Sequence, residues 1–384
     1  MRRLLLLFFF LPTSLHLAAQ KESLNSYSLY LKPGWVMPTN EYVSGTNRAN
    51  KPISAIYSVS LRFEHQTDGS KGWHQMYNYP SYGMGIYFAK FSVPNQLGNP
   101  ISLYGFLSST LYRHGRFALK TDFSLGLAFN WEHFSSSNTL NVAMGGPLSC
   151  YIDAAIVAYY NMCNHFDLGM GLALSHFSNG ALKKPNKGIN VLSPKLVFKY
   201  KPYDNIRLKI TEKPRSESYF ENLTTFFFGA HDVQTVINPK KENESYENHS
   251  YLVFGLDDKF LRRFNLKHSL GLGIGIGYNQ YVGTEYRIEN DRMVFSEIPV
   301  MQRFHLSAYI SYEYRIHRLA ILLEPGIYIY KNESDKSENF FQRIGFRHYL
   351  SDSFFYGVSL RAAYFSVAQY IEWTIGYRIN GIGR

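Results

Sequence analysis

Residues 121–134, TDFSLGLAFNWEHF, decide how the rest of the chain is interpreted. Large apolar side chains occupy every second position of this stretch, and small or polar side chains stand between them. The apolar set is Phe123, Leu125, Leu127, Phe129 and Trp131. Alternation with a period of two over about ten residues is typical of a strand with one lipid-facing side. The stretch therefore predicts a membrane-spanning β-strand.

The same alternation recurs along most of the chain. In residues 269–280, SLGLGIGIGYNQ, large apolar side chains alternate with four glycines. Such glycines could belong to a phosphate-binding loop, but strict alternation with large aliphatics favours a strand. The chain also combines 31 Tyr, 29 Phe and 29 Gly with only 18% charged residues. This composition suits an outer-membrane barrel with aromatic girdles and closely packed strands.

The N-terminus carries the pattern of an export signal. Two arginines precede an apolar run at residues 4–11, and Leu-Ala-Ala at 17–19 supplies small residues before Gln20. This predicts a cleaved signal peptide at residues 1–19. The apolar run is shorter than the roughly 20 residues that a membrane helix needs. Residues 20–384 are predicted to form one all-β domain, a transmembrane antiparallel β-barrel of the bacterial outer membrane.

Long polar connections alternate with short turns along the predicted barrel. Outer-membrane barrels carry long loops outside and short turns in the periplasm, and counting strands this way gives about 14–16. Residues 200–220 fit either a periplasmic excursion or one more strand pair. Cys150 and Cys163 would lie about 40 Å apart on one extended strand, so no disulfide is expected between them.

One hairpin, within residues 164–200, carries polar side chains on its lipid-facing row. In DLGMGLALSHFSNG, residues 167–180, the row of Leu168, Met170, Leu172 and Leu174 continues into His176 and Ser178. On the next strand, Asn190 leads a row of apolar side chains. Placing polar side chains on the outer wall of a barrel is costly, which points to a function for them.

The segment HFSNGALKKPNKGIN, residues 176–190, resembles the active-site segment of the PagL-type lipid A 3-O-deacylases, an outer-membrane acyloxyacyl hydrolase family. That family has a His-x-Ser-Asn segment followed by Pro-Asn-x-Gly. Residues 73–88 and 371–379 also resemble the larger Bacteroidetes-type relatives of the family. The resemblance implies a serine esterase that removes an acyl chain from lipid A of lipopolysaccharide in the outer leaflet.

The resemblance also implies a role for each residue of the hairpin. Ser178 corresponds to the nucleophile and His176 to its base, and backbone donors near Asn179 and Gly180 would hold the oxyanion. Asn190 stands where the family has a glutamate that orients the histidine. An asparagine can orient the ring but cannot stabilise the imidazolium by charge. Asp232, at the outer end of a later strand, is an alternative candidate for that carboxylate.

Lys183 and Lys184 follow the predicted nucleophile and would meet lipid A phosphates, or remain solvated loop charges. The formal net charge of +11 fits an anionic lipid surface. The histidines show no metal-ligand spacing, so we expect no metal, no cofactor and no nucleic-acid partner. A porin or transport channel and a catalytically silent structural barrel remain as alternatives, and the sequence leaves pairing into a homodimer open.

Overall fold

The computed structural model describes residues 24–203, 208–212, 218–237, 245–289, 292–296, 298–364 and 367–382. The predicted signal peptide, residues 1–19, lies outside them. About two-thirds of the described residues lie in antiparallel β-strands, which confirms the predicted all-β fold class. No helix in these ranges is long and apolar enough to cross a membrane.

The first eight strands close into one barrel, here called barrel 1. Its strands are β1 Asn25–Val36, β2 Ala55–Gln66, β3 Ser81–Phe91, β4 Gly98–His114, β5 Phe117–Trp131, β6 Leu148–Cys163, β7 Phe166–Ser178 and β8 Ile189–Tyr200. Closure is made by β8 pairing with β1, with Tyr200 opposite Tyr27. Two short helices lie in its connections, α1 Glu41–Ser44 and α2 Gly72–Met76.

A second set of strands closes into another barrel, here called barrel 2. Its strands are β9 Tyr219–Ile237, β10 Ser245–Arg263, β11 His268–Asn279, β14 Phe304–Ile316, β15 Leu319–Tyr330, β16 Phe340–Tyr349, β17 Phe354–Ala363 and β18 Val367–Ile382. Closure is made by β18 pairing with β9. Between β11 and β14 lie a hairpin, β12 Glu285–Glu289 with β13 Arg292–Ser296, and a 3-10 helix, Val300–Arg303.

The expectation of one barrel over residues 20–384 is therefore wrong, although the sixteen barrel strands described agree with the predicted number. Residues 201–218 lie between β8 and β9 in the chain, and the part of the predicted excursion or strand pair at 204–207 and 213–217 lies outside the described residues. Alternation shows which face of a strand meets lipid, but it does not show which strand is its partner. Both cysteines lie on β6 and are free, as expected.

The lipid-facing and lumen-facing rows follow the sequence pattern closely. On β7, Leu172 is 61% exposed while the next residue, Ala173, is 2% exposed. Trp131 is an exception, because the pattern placed it on the lipid face and it is buried against Phe177, with ring centroids 5.2 Å apart. Asn130, immediately before it, has a φ of 67°, which breaks the extended backbone and turns Trp131 inward.

Buried ion pairs fill the interior of both barrels. In barrel 1, Asp153 accepts from Lys32 Nζ at 2.6 Å and from Lys195 Nζ at 2.7 Å. In barrel 2, Glu313 accepts hydrogen bonds from both Arg315 and Arg347. An eight-stranded barrel has an interior just wide enough for side chains to fill. These networks therefore occupy the space that a channel would need.

We expect Asp153→Ala to lower the free energy of unfolding by about 3–5 kcal/mol, because it leaves two buried ammonium groups without their counter-ion. Urea titration of the protein folded in micelles measures the change. Glu41→Ala is the control, since its pair with Lys187 is half exposed and is worth at most about 1 kcal/mol. Equal losses in the two variants would contradict a structural role for the interior network.

The two barrels contact each other side by side. At one end, Trp73 in α2 stacks on His317, with ring centroids 5.5 Å apart. Halfway along the strands, Phe123 contacts Phe346 at a centroid distance of 5.8 Å. At the other end, the connection between β7 and β8 packs against barrel 2. This is the connection that holds the predicted active-site residues.

Candidate active site

The hairpin of β7 and β8 presents His176, Ser178 and Asn190 together. His176 and Ser178 are separated by Phe177, which is fully buried inside barrel 1, so both polar side chains lie on the outer wall. Asn190 is the direct cross-strand partner of His176. The lateral spacing of a β-sheet thus brings these side chains into contact without any long-range folding.

A hydrogen bond joins His176 to Asn190. The two atoms, Nδ1 of His176 and Oδ1 of Asn190, are 2.7 Å apart. An amide oxygen only accepts, so Nδ1 carries the proton and Nε2 keeps a lone pair. His176 is therefore held in the tautomer that can accept a proton through Nε2.

Thr39 fixes the amide of Asn190 in that orientation. Asn190 Nδ2 donates to Thr39 Oγ1 at 3.3 Å, and the backbone carbonyl of Asn190 accepts from Met37 N at 2.9 Å. Both residues come from the connection between β1 and β2, 151 positions away in the case of Thr39. Sequence reasoning missed Thr39, because no local motif marks it.

The hydroxyl of Ser178 receives two hydrogen bonds. Asn186 Nδ2 donates to Ser178 Oγ at 2.7 Å, and Gly180 N donates to it at 3.1 Å. Among the described residues, no direct hydrogen bond joins His176 to Ser178. Such contacts are often formed only in the substrate complex, and the hydroxyl proton of Ser178 is still available for donation.

These two donors differ from the pair that the sequence suggested. The backbone N–H of Asn179 donates to Asn186 Oδ1 at 3.1 Å, so it is directed away from Ser178. Gly180 N–H is directed at Ser178 Oγ, and its predicted role as an oxyanion donor stays a prediction. Asn186 is the donor that sequence reasoning missed, although the Pro-Asn-x-Gly segment that contains it was a usable signal.

Gly188 lies beside both His176 and Ser178. A Cβ at this position would lie 3.1 Å from His176 Cε1 and 3.5 Å from Ser178 Cβ. Its φ of 71° is in the left-handed region that favours glycine. A side chain there would therefore strain the turn and also enter the space between the two polar side chains.

We expect Gly188→Ala to lower the turnover number about tenfold, since a displacement of even 1 Å at a reacting group can cost about 10² in rate. Kinetic assay on purified lipid A measures it. Gly115→Ala is the matched control, because Gly115 also has a positive φ but a Cβ there would meet nothing within 4 Å. Equal activity in the two variants would mean that the space beside Gly188 is not used.

Lys183 and Lys184, which the sequence suggested for phosphate binding, differ in their surroundings. Lys183 is exposed, and Lys184 is half-buried. Burial lowers the pKa of the Lys184 amino group, and the nearby carboxylate of Asp232 acts in the opposite direction. Asp232 accepts hydrogen bonds from Lys184 N, Asn248 and Ser250. Since these bonds hold Asp232 at the loop, it does not replace the missing glutamate beside His176.

Within the described ranges, no group of three or more His, Cys, Asp or Glu side chains is placed to hold a metal ion. Two surface cavities, of about 310 and 700 Å³, lie beside Trp131 and beside Arg378. Neither is lined by the hairpin residues described above. His176, Ser178 and Asn190 are each partly exposed on the outer wall of barrel 1, a position that suits a substrate approaching from within the membrane.

Two family models match the chain, one on each barrel. The lipid A 3-O-deacylase (PagL) model matches residues 57–199, and the model of the acyloxyacyl hydrolase C-terminal domain matches residues 221–381. Together they match more than three-quarters of the chain. The boundary between the two matches coincides with the connection between the barrels.

Three solved structures that resemble the chain share 14% or less of its sequence. The crystal structure of the outer membrane enzyme PagL is 14% identical, covering 45% of this chain and 97% of its own, with a TM-score of 0.30. The translocator domain of autotransporter NalP from Neisseria meningitidis is 8% identical, covering 94% and 88%, with a TM-score of 0.21. The siderophore receptor PirA from Acinetobacter baumannii is 11% identical, covering 89% and 56%, with a TM-score of 0.26. These scores are too low to carry an argument, and no curated protein matches the sequence.

The barrels and the family models together define an outer-membrane β-barrel hydrolase. The chain belongs to the lipid A 3-O-deacylase (PagL) family and carries the acyloxyacyl hydrolase C-terminal domain. Its function is that of an outer-membrane lipid A deacylase. The resemblance seen in residues 176–190 is thereby confirmed at the level of the family.

Proposed function

We propose that the chain cleaves an ester-linked acyl chain from lipid A by a serine esterase mechanism, with Ser178 as nucleophile and His176 as general base. The observation that carries the proposal is the pair of hydrogen bonds at either end of the site. His176 is held by Asn190 at 2.7 Å, and Ser178 Oγ receives the Asn186 donor at 2.7 Å. One group is thus arranged to take a proton, and the other lies among donors suited to a developing negative charge.

In the proposed reaction, Ser178 Oγ attacks the ester carbonyl carbon while its proton passes to His176 Nε2. The carbonyl oxygen becomes an oxyanion, and Gly180 N–H with Asn186 Nδ2 stabilises it. The ester C–O bond then breaks, and the leaving sugar oxygen takes the proton from the imidazolium. Water then attacks the acyl carbon while His176 takes its proton, the bond to Ser178 Oγ breaks, Oγ takes that proton back, and the fatty acid is released.

Other parts of the chain extend the proposal. Residues 1–19 act as the signal peptide that directs export, and the exposed Lys183 faces the phosphates of lipid A. Lys184, whose backbone is held by barrel 2, contributes less to phosphate binding. Pairing into a homodimer stays a prediction, and cross-linking in the membrane would test it.

The porin alternative is disfavoured by the fold. Each barrel has eight strands, and the described interiors hold buried Lys, Arg, Asp and Glu side chains in ion pairs. Barrels of this size hold packed side chains, whereas porins that conduct have about 16–18 strands. No observation in the structure favours a transport channel over a hydrolase.

The test is mass spectrometry of lipid A from outer membranes with and without the chain. We expect the chain to shift the lipid A mass downward by one acyl group, and planar bilayer recordings of the purified protein to show no conductance. Unchanged lipid A in the presence of folded protein would contradict the enzyme. Steady ohmic conductance would favour the channel instead.

A further inference from the structure

Barrel 2 holds the active-site loop of barrel 1 through the backbone of Lys184. Asp232 Oδ2, on β9, accepts from Lys184 N at 2.8 Å. Asn248 Nδ2, on β10, donates to Lys184 O at 2.9 Å. Asn248 also donates to Asp232 at 2.7 Å. Together, the two side chains therefore hydrogen-bond both the N–H and the C=O of Lys184. Hydrogen bonds to a charged acceptor are stronger than neutral ones, so the bond from Lys184 N to the Asp232 carboxylate is the stronger of the two.

A second contact with barrel 2 lies at Gly180. A Cβ on Gly180 would lie 2.7 Å from Ile371 Cδ1, on β18, and 3.5 Å from Leu360 Cδ1, on β17. The glycine backbone, with a φ of 62°, therefore lies directly against an apolar wall of barrel 2. Gly180 is also the residue whose N–H is directed at Ser178.

The two contacts enclose the oxyanion donors. Gly180 supplies one donor. Asn186, two residues beyond the Lys184 backbone that barrel 2 holds, supplies the other. The opposite side of the hairpin is held by barrel 1 itself, through Asn40 Nδ2, which donates to Gly188 O at 2.8 Å. Barrel 1 thus holds the end of the loop at Gly188, and barrel 2 holds the span from Gly180 to Lys184.

We propose that Asp232 is a positioning residue for the hydrolysis at Ser178, acting through Lys184 to keep Gly180 and Asn186 directed at the reacting oxygen. This role rests on the proposed function of Ser178. It also gives barrel 2 a part in the reaction, because Asp232 lies on β9 and Asn248, its partner in holding Lys184, lies on β10. Asp232 is 3% exposed, so its bonds are protected from competing water.

The experiment compares Asp232→Ala and Asp232→Asn with the parent chain, using purified full-length protein and lipid A in mixed micelles. We expect Asp232→Ala to lower kcat at least about tenfold with KM within about threefold, because positioning acts on the transition state more than on substrate binding. The kcat of Asp232→Asn should lie between those of Asp232→Ala and the parent, since its amide oxygen can still accept from Lys184 N.

Asp258→Asn is the matched control. Asp258 is on β10, the strand that pairs with β9, and its carboxylate accepts from Asn222 and Thr224, each at 2.7 Å, within barrel 2. We expect its kcat to remain within about twofold of the parent. The folded fraction of every variant is measured by the mobility of unheated samples on gels, and kcat is expressed per folded protein.

Hydrogen exchange supplies a readout that does not depend on turnover. Asp232→Ala should raise exchange in peptides that cover residues 179–188 and leave β7 unchanged. A kcat equal to the parent, or a loss that only follows the folded fraction, would overturn the positioning role while Ser178-dependent activity in the parent keeps the proposed function. A folded parent without Ser178-dependent activity would overturn the proposed function and the positioning role with it.

Discussion

Ser178→Ala is expected to abolish lipid A deacylation while the barrels remain folded. Only Oγ is removed, and Gly180 N–H and Asn186 Nδ2 lose an acceptor at a site that is partly open to its surroundings. Loss of the nucleophile in a serine hydrolase costs about 10⁶ in turnover. We therefore expect a fall of at least about 10³-fold, which is measured by mass spectrometry of purified lipid A after timed incubation.

Ser137→Ala is the control for this change. Ser137 is exposed in the connection between β5 and β6, at the same end of barrel 1, and makes no bond to the site. Its activity should equal that of the parent. Deacylation that survives Ser178→Ala would exclude the serine from the mechanism and leave His176 with a water molecule as the reacting group.

The faces of the strands could be predicted from the sequence because lipid and lumen impose a period of two on every spanning strand. Met170 and Leu172 on β7 are exposed to the surroundings as their positions indicated. The closure of the barrels could not be predicted in this way, because the pairing of β8 with β1 leaves no mark on the alternation of either strand. Trp131 shows a second limit of the alternation pattern, because the positive φ of Asn130 turns the Trp131 side chain from the lipid face to the interior.

In the candidate site, contacts within one hairpin could be predicted from the sequence, whereas contacts between distant parts of the chain could not. His176 and Asn190 were found from the sequence because they are neighbours across one hairpin. Thr39 and Asp232 were not assigned their roles, since they reach the hairpin from other connections and from the other barrel. Asp232 was noticed as a carboxylate near the correct height, but its bond to the backbone of Lys184 needs the arrangement of both barrels.

A gain of activity is expected when a carboxylate replaces the amide of Asn190. Asn190 Oδ1 already lies 2.7 Å from His176 Nδ1, so Asn190→Asp places a charged oxygen at the same distance without added length. The charge stabilises the imidazolium that forms as Ser178 attacks, and the hydroxyl of Thr39 can donate to the second carboxylate oxygen. The comparable Asp-to-Asn change in a serine protease costs about 10⁴ in kcat, which sets the ceiling for the reverse change.

We expect Asn190→Asp to raise kcat on lipid A about 10²-fold over the parent. Asn190→Glu, which restores the residue that the family resemblance implies, should also exceed the parent but by less, because one more methylene overshoots a ring already within hydrogen-bond distance. Asn190→Leu is the control of similar size without a polar atom, and it should fall below the parent because the ring loses its acceptor. Ser178→Ala in the Asn190→Asp background should remove the entire gain. If Asn190→Asp and Asn190→Leu had equal activity on purified lipid A, the bond between residue 190 and His176 would have no part in catalysis.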